Sequence, residues 1–214
     1  MAAKSVVDAD SVFINCPFTG DYTKSFHSII FAVLSCGFRP RTAMEAGDAG
    51  DVRLDKIIRL VVESPFSIHD LSEVGLDRKN KLPRFNMPFE LGLVIACKKA
   101  GGRKFSSRPI LVMENKRYTT QKCLSDIAGQ DVKAHGKSPA KIINIVREWL
   151  AQQSARKGIP GHLRIQAAFT DFYGALPALC AEAGLNAREL GYSDFVVLAQ
   201  QWLVEANAES AIKP

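Results

Sequence analysis

RPILVME, residues 108–114, is the stretch on which the fold turns. Its centre is an unbroken apolar run with no polar residue on either alternate face. A strand covered on both sides reads this way, and such strands belong to parallel sheets with helices above and below. Upstream, VFINC (residues 12–16) and FSIHD (Phe66–Asp70) are short runs of the same kind, and GFRPR starts another over residues 38–42, weakened by Pro40. Downstream, DVKAH from Asp131 reads as an edge strand. Helical spacing fills the gaps. Phe26, Ile29, Ile30, Val33 and Leu34 recur on one face, closed by Gly37. Leu54, Ile57, Ile58, Val61 and Val62 do the same over residues 52–63, a further helix is expected over 88–99, a short one over 119–128, and an amphipathic one over Pro139–Gln153. Strand and helix alternate about five times, which predicts a doubly wound parallel sheet of about five strands with a crevice beyond its carboxyl ends.

KGIPGH, residues 157–162, marks an expected boundary between an α/β domain (1–157) and a helical extension (158–214). The extension carries two helical patterns, over 163–183, with Pro177 as a break, and over 193–206. A tail of that size can hardly build its own core. It is expected to pack on the domain or to mediate oligomerisation, with a homo-oligomer or a protein partner as the consequence.

At 214 residues, 47% hydrophobic and 23% charged, the composition is that of a globular chain and argues against extended disorder. The first ten residues lack the apolar stretch of a secretory signal, and no run is long enough to span a bilayer. Five scattered cysteines, odd in number and without a CxxC pair, fit a reducing compartment and hence the cytoplasm. The net charge of +6 comes largely from Lys98, Lys99, Arg103, Lys104, Arg108, Lys116 and Arg117. That run suits either a phosphate or nucleic-acid patch or a helix end followed by a solvated loop; no aromatic ladder or nucleic-acid motif supports the former.

Glu90, in RFNMPFELG, is the first candidate for chemistry. With Pro88 at the first helical position, Glu90 falls near the third, where backbone N–H groups and the helix dipole favour a carboxylate. A carboxylate at a cleft can attack an anomeric carbon or stabilise the cation formed as a glycosidic bond breaks. The same glutamate also serves plain helix stabilisation. Asp70 ends a strand in SIHDLSE and is placed to orient a ribose hydroxyl or move a proton, while its spacing to Glu73 also fits a capping box. The alternation of the strand turns His69 away from it. Asn15, Pro17 and Phe18 form the turn after the first strand, suited to holding a phosphate or ribose. Arg39 and Arg41 border the second strand and suit phosphate. Cys16 has no identifiable base and reads as a buried thiol. The four histidines show no metal-ligand spacing, and GxGxxG, GxxxxGK and GxSxG patterns are absent.

Together, the CPF turn, SIHDLS and NMPFELGLVIA resemble the superfamily shared by TIR-like domains and nucleoside 2-deoxyribosyltransferase-like proteins, over about residues 10–150. The resemblance implies a flavodoxin-like sheet and cleavage of an N-glycosidic bond in NAD or a related nucleotide. It implies Glu90 as the key catalytic residue, with Asp70, Pro17 and Phe18 as matching positions. Where the deoxyribosyltransferase pattern has an aspartate before the ELG segment, this chain has Asn86, which can hydrogen-bond but carries no charge. NAD or a related nucleotide is then the substrate, and no cofactor or metal is required. Relatives of this kind often serve bacterial antiviral defence or signalling. Two other readings stand beside this one: a non-catalytic module that binds a nucleotide signal, and an assembly protein working through its helical tail.

Overall fold

The computed structural model describes residues 7–45, 50–76, 82 and 84–212. Its strands are β1 (Ser11–Asn15), β2 (Arg39–Thr42), β3 (Phe66–Asp70), β4 (Ile110–Glu114) and β5 (Lys133–Ala134). They form one sheet in the order β2-β1-β3-β4-β5, with every pair parallel. This is the flavodoxin-like doubly wound order, which reverses direction between β1 and β3.

The helices are α1 (Thr23–Ser35), α2 (Arg53–Glu63), α3 (Asn86–Ala100), α4 (Arg103–Ser106), α5 (Thr119–Cys123), α6 (Pro139–Gln153), α7 (His162–Glu182) and α8 (Tyr192–Ile212). Period-two alternation sorts the strand residues between two helical layers. Val12, Ile14, Ile68, Leu111 and Met113 meet α1 and α6 through Ile29, Ile30, Ile142, Ile143 and Val146. On the other face, Phe13 packs on Ile57, Leu60 and Val61 of α2 and Val94 of α3, while Val112 packs on Met87 and Leu91. Gly37, at φ 78°, ends α1: its N–H bonds Leu34 O (2.8 Å) and that of Phe38 bonds Val33 O (3.1 Å), a left-handed closure that suits glycine.

The helical tail adds a layer over α1 and α6. Phe31 of α1 meets Phe169 and Phe172 at 5.4 and 5.3 Å, and His27 stacks on Phe195 at 3.8 Å. Burial lowers the His27 pKa to about 4, so the stacked ring is neutral. Tyr192 donates its hydroxyl to Pro40 O of β2 at 2.7 Å. Trp202 sits 5.9 Å from Phe172, and α7 runs through Pro177 without ending. The apolar faces of the tail are thus part of the main core. A chain cut at residue 157 would expose Phe31, Ile30 and their neighbours to water, and is expected to lose its cooperative thermal transition; a calorimetric scan of the truncated protein checks this.

One expectation needs correction. Helix α3 begins at Asn86, so Pro88 is its third residue and Glu90 its fifth. Proline is tolerated anywhere in a first turn, because those N–H groups have no intrahelical partner. The basic run takes the second of its two readings, with Lys98 and Lys99 in the last turn of α3. Lys98, Lys99, Arg103, Lys104 and Arg108 precede β4 and Lys116 and Arg117 follow it, roughly 17 Å apart along a five-residue strand. Arg108 caps the end of α2, donating to Val61 O (2.7 Å), Val62 O (2.9 Å) and Ser64 O (3.1 Å) while stacking 4.3 Å over Phe105. Arg108→Ala is expected to cost about 1–3 kcal/mol in urea unfolding, with Arg108→Lys recovering a fraction, since lysine lacks the fork. The loops expected over 43–53 and 71–84 lie partly outside the described residues.

Candidate active site

The carboxyl edge of the sheet is divided by the plane of the sheet itself. On the α1/α6 side it is filled by Asp70, which is 0% exposed. Its Oδ1 accepts the Ser72 N–H at 2.9 Å and the Ser72 hydroxyl. Its Oδ2 accepts the Tyr22 hydroxyl and His135 Nε2–H, the latter at 2.8 Å. Lys137 N–H donates to His135 Nδ1 at 3.0 Å, which leaves the imidazole proton on Nε2, shared with Ser72 Oγ at 3.0 Å. Burial pushes the Asp70 carboxyl up, but the hydrogen bonds from His135, Ser72 and Tyr22 outweigh it and hold the pKa below the ordinary value. Tyr22 moves the other way: burial and then the Asp70 charge raise its pKa well above 10, so it stays a donor. Nearer the surface, Glu73 accepts the Thr19 hydroxyl at 2.9 Å and pairs with Lys137 at 3.8 Å. Three loops are therefore tied together twice.

The α2/α3 side holds Glu90. Met87, Glu90, Leu91 and Val94 make the buried stripe of α3, so this carboxylate stands in an otherwise apolar row. Glu90 is 5% exposed, and Arg53, at the start of α2, faces it at 3.9 Å. That distance is an ion pair without a hydrogen bond, and Arg53, 60% exposed, is well solvated. Burial therefore dominates and raises the Glu90 pKa from 4.5 to about 7, with Arg53 pulling against it. This reverses the expectation of a dipole-stabilised first-turn anion. Near neutrality the group exists in both protonation states, so it can exchange a proton or, when ionised, face a developing cation.

The two sides meet at the β1–β3 reversal. Asn15, paired with His69 in the strand register, donates from Nδ2 to Met87 O at 2.8 Å and lies 3.0 Å from His69 Nδ1. It thus anchors the start of α3 to the end of β1. Cys16, the next residue, is buried. Its pKa is raised well above 9 by burial and then by the charges of Asp70 and Glu90, so it lies within the field of both and remains a neutral thiol rather than a nucleophile.

The remaining expected residues divide. Pro17 is buried, and Phe18, 41% exposed, stands edge-on to Phe26 at 5.3 Å above the carboxyl edge. Asn86 is exposed as the first residue of α3. Arg39 opens β2 opposite Ser11, the first residue of β1, and binds Asp8 at 2.7 Å. It therefore lies at the amino edge, away from the crevice, because a parallel strand brings its first residue to that end. Arg41 is engaged by Glu45 (2.7 Å) and Glu63 (3.6 Å). Asp70 and Glu90, expected to work together, belong to opposite helical layers. Sequence reasoning missed Tyr22, Arg53 and His135, and it set His69 aside.

Among the described residues, no group of three His, Cys, Asp or Glu side chains could hold a metal ion, and no helix is long and apolar enough to cross a membrane. Fold and site together define a doubly wound α/β protein with a buried carboxyl, faced by Arg53, near the strand-order reversal. Comparison of the chain with protein-family models, with curated proteins and with solved structures gives no match.

Proposed function

We propose that the protein is an N-glycosidase acting on NAD or a related nucleotide at the crevice bounded by β1, α2 and α3. The observation that carries this reading is Glu90, a carboxyl buried in an apolar row beside the switch point, with its pKa raised to about 7. An anion that these apolar surroundings accommodate poorly gains most when a positive charge develops beside it, so it favours an oxocarbenium-like transition state over the resting state. The C1′–N bond breaks, nicotinamide leaves with the bonding pair as a neutral base, and Glu90 faces the resulting cation until water adds to C1′ and releases a proton. Because the pyridinium nitrogen is already cationic, the departing base needs no proton, and the burial of His69 and His135 is no obstacle. Asn15, Pro17, Phe18 and Asn86 supply the ribose end of the site. Asp70 becomes a positioning residue that holds the three loops. The motif resemblance to TIR-like and deoxyribosyltransferase-like proteins supports the same reading and brings with it a role in defence or signalling; the five free cysteines fit a cytoplasmic location. The test is nicotinamide release by the wild type and by Glu90→Gln.

One observation favours a second reading. Arg53 already faces Glu90, so the pair could simply tie α2 to α3 around a bound nucleotide signal. Calorimetry with NAD, ADP-ribose and cyclic dinucleotides separates the two: tight binding without turnover selects the binding module.

A further inference from the structure

Tyr118 is held where few bulky residues go. Its φ is 66°, in the left-handed region that glycine enters freely and tyrosine enters only when its surroundings impose it. Glu114, the last residue of β4 and 3% exposed, imposes it. Its Oε1 accepts the Tyr118 N–H at 2.7 Å and its Oε2 the Thr120 N–H at 2.8 Å. The carboxylate thus fixes the loop backbone from beneath, and both of its oxygens are occupied in doing so. Yet the ring so placed is 61% exposed, and core packing does not account for it. Strain maintained at an exposed aromatic residue points to function.

Beside the ring lies a cavity of about 370 Å³, a size that suits a small molecule. Arg117, Tyr118, Gln121 and Gln130 line it, with Val132 and Ile145 as apolar wall. Gln121 and Gln130 are half-buried, and neither side-chain amide hydrogen-bonds a described residue. Arg117 forms no ion pair with a described residue either. Asp131 and Lys133, also at the cavity, pair with each other at 2.6 Å. The groups left for a ligand are therefore one aromatic face, two amides and one guanidinium. An aromatic face stacks on a base, an amide matches the neighbouring donor and acceptor on a base edge, and a guanidinium binds phosphate.

We propose that this cavity binds a nucleotide, its base stacked on Tyr118 and read by Gln121 and Gln130, its phosphate toward Arg117. Glu114 is a positioning residue: by holding the loop it sets the ring at the cavity. The site lies at the β4–β5 end of the sheet and contains none of the residues assigned to glycosidic cleavage, so it stands independently of that reading.

Calorimetry with AMP, adenosine and ribose 5-phosphate tests the proposal without turnover. Wild type is expected to bind AMP at least about tenfold more tightly than ribose 5-phosphate, which carries the charge without the base. Tyr118→Gly removes the ring and relieves the backbone. It should keep or raise the urea midpoint while losing at least about tenfold in AMP affinity. Tyr118→Phe retains a stacking face and should stay within about threefold of wild type. Arg117→Ala should weaken AMP and leave adenosine within about twofold of its wild-type affinity. Wild type that binds AMP no more tightly than ribose 5-phosphate overturns the proposal, as does a folded Tyr118→Gly protein that binds AMP like wild type. Should Tyr118→Gly not fold, proton spectra of the wild type decide: saturating AMP must shift the Tyr118 ring resonances, and unshifted resonances overturn the assignment. No nicotinamide is involved, so failure here leaves the glycosidase reading untouched, and a glycosidase that proves inactive leaves this site in place.

Discussion

Asp70→Ala is expected to cost about 3–5 kcal/mol of folding free energy, enough to unfold a large share of a marginally stable chain. The loss exceeds that of an ordinary hydrogen bond because the carboxylate serves four donors at once: the Ser72 amide and hydroxyl, the Tyr22 hydroxyl and His135. Removing it leaves buried donors without acceptors in a site that is 0% exposed. Tyr22→Phe removes a single donor and is expected to cost about 1–2 kcal/mol. Urea midpoints of the variants check both, and an Asp70→Ala loss below about 1 kcal/mol would contradict this account. The pH dependence follows from the same network. The folded-state pKa of Asp70 is lowered, so its contribution is present above the unfolded value of about 3.8 and is lost as pH falls through the lower folded value. Asp70→Asn should lack that component of acid unfolding.

Glu90 behaves in the opposite sense, and Glu90→Gln is expected to be the more stable protein in alkali. The folded pKa is about 7 against 4.5 for a free carboxyl. Its contribution to stability is complete below the unfolded value and disappears as pH rises through the folded one. At about 1.4 kcal/mol for each pH unit, the penalty at high pH is at most about 3.5 kcal/mol, reduced by whatever water reaches the carboxylate. Unfolding curves at about pH 5 and about pH 8 should therefore converge for the variant and separate for the wild type. Equal pH dependence in both would show that Glu90 is ionised throughout. A cationic ligand in the crevice should lower this pKa and erase part of the difference.

Much of the fold was legible because it depends on local patterns. The short apolar runs of β1, β3 and β4 and the spacing on α1, α2 and α6 are each contained within one segment, and FSIHD and Pro139–Gln153 coincide with β3 and α6. The start of α3 was not, because proline marks a first turn without specifying which residue of that turn it occupies. Site residues were visible where a single element creates them. Glu90 interrupts an apolar stripe at positions 87, 91 and 94, a signal within α3 alone. The partners of Asp70 and Asn15 lie far away in sequence, and only strand order and register bring His135 and His69 beside them. Arg39 was read at the wrong end for the same reason: its place relative to the crevice depends on pairing with Ser11.

The most direct test is chromatographic measurement of nicotinamide released from NAD by wild type and Glu90→Gln, both shown to be folded. Wild type is expected to release nicotinamide and ADP-ribose in equal amounts, and the variant to fall by at least about a hundredfold, the scale of losing the main stabilising charge in a transition state. A folded Glu90→Gln protein that releases nicotinamide at the wild-type rate, or a wild type that releases none, would contradict the assignment.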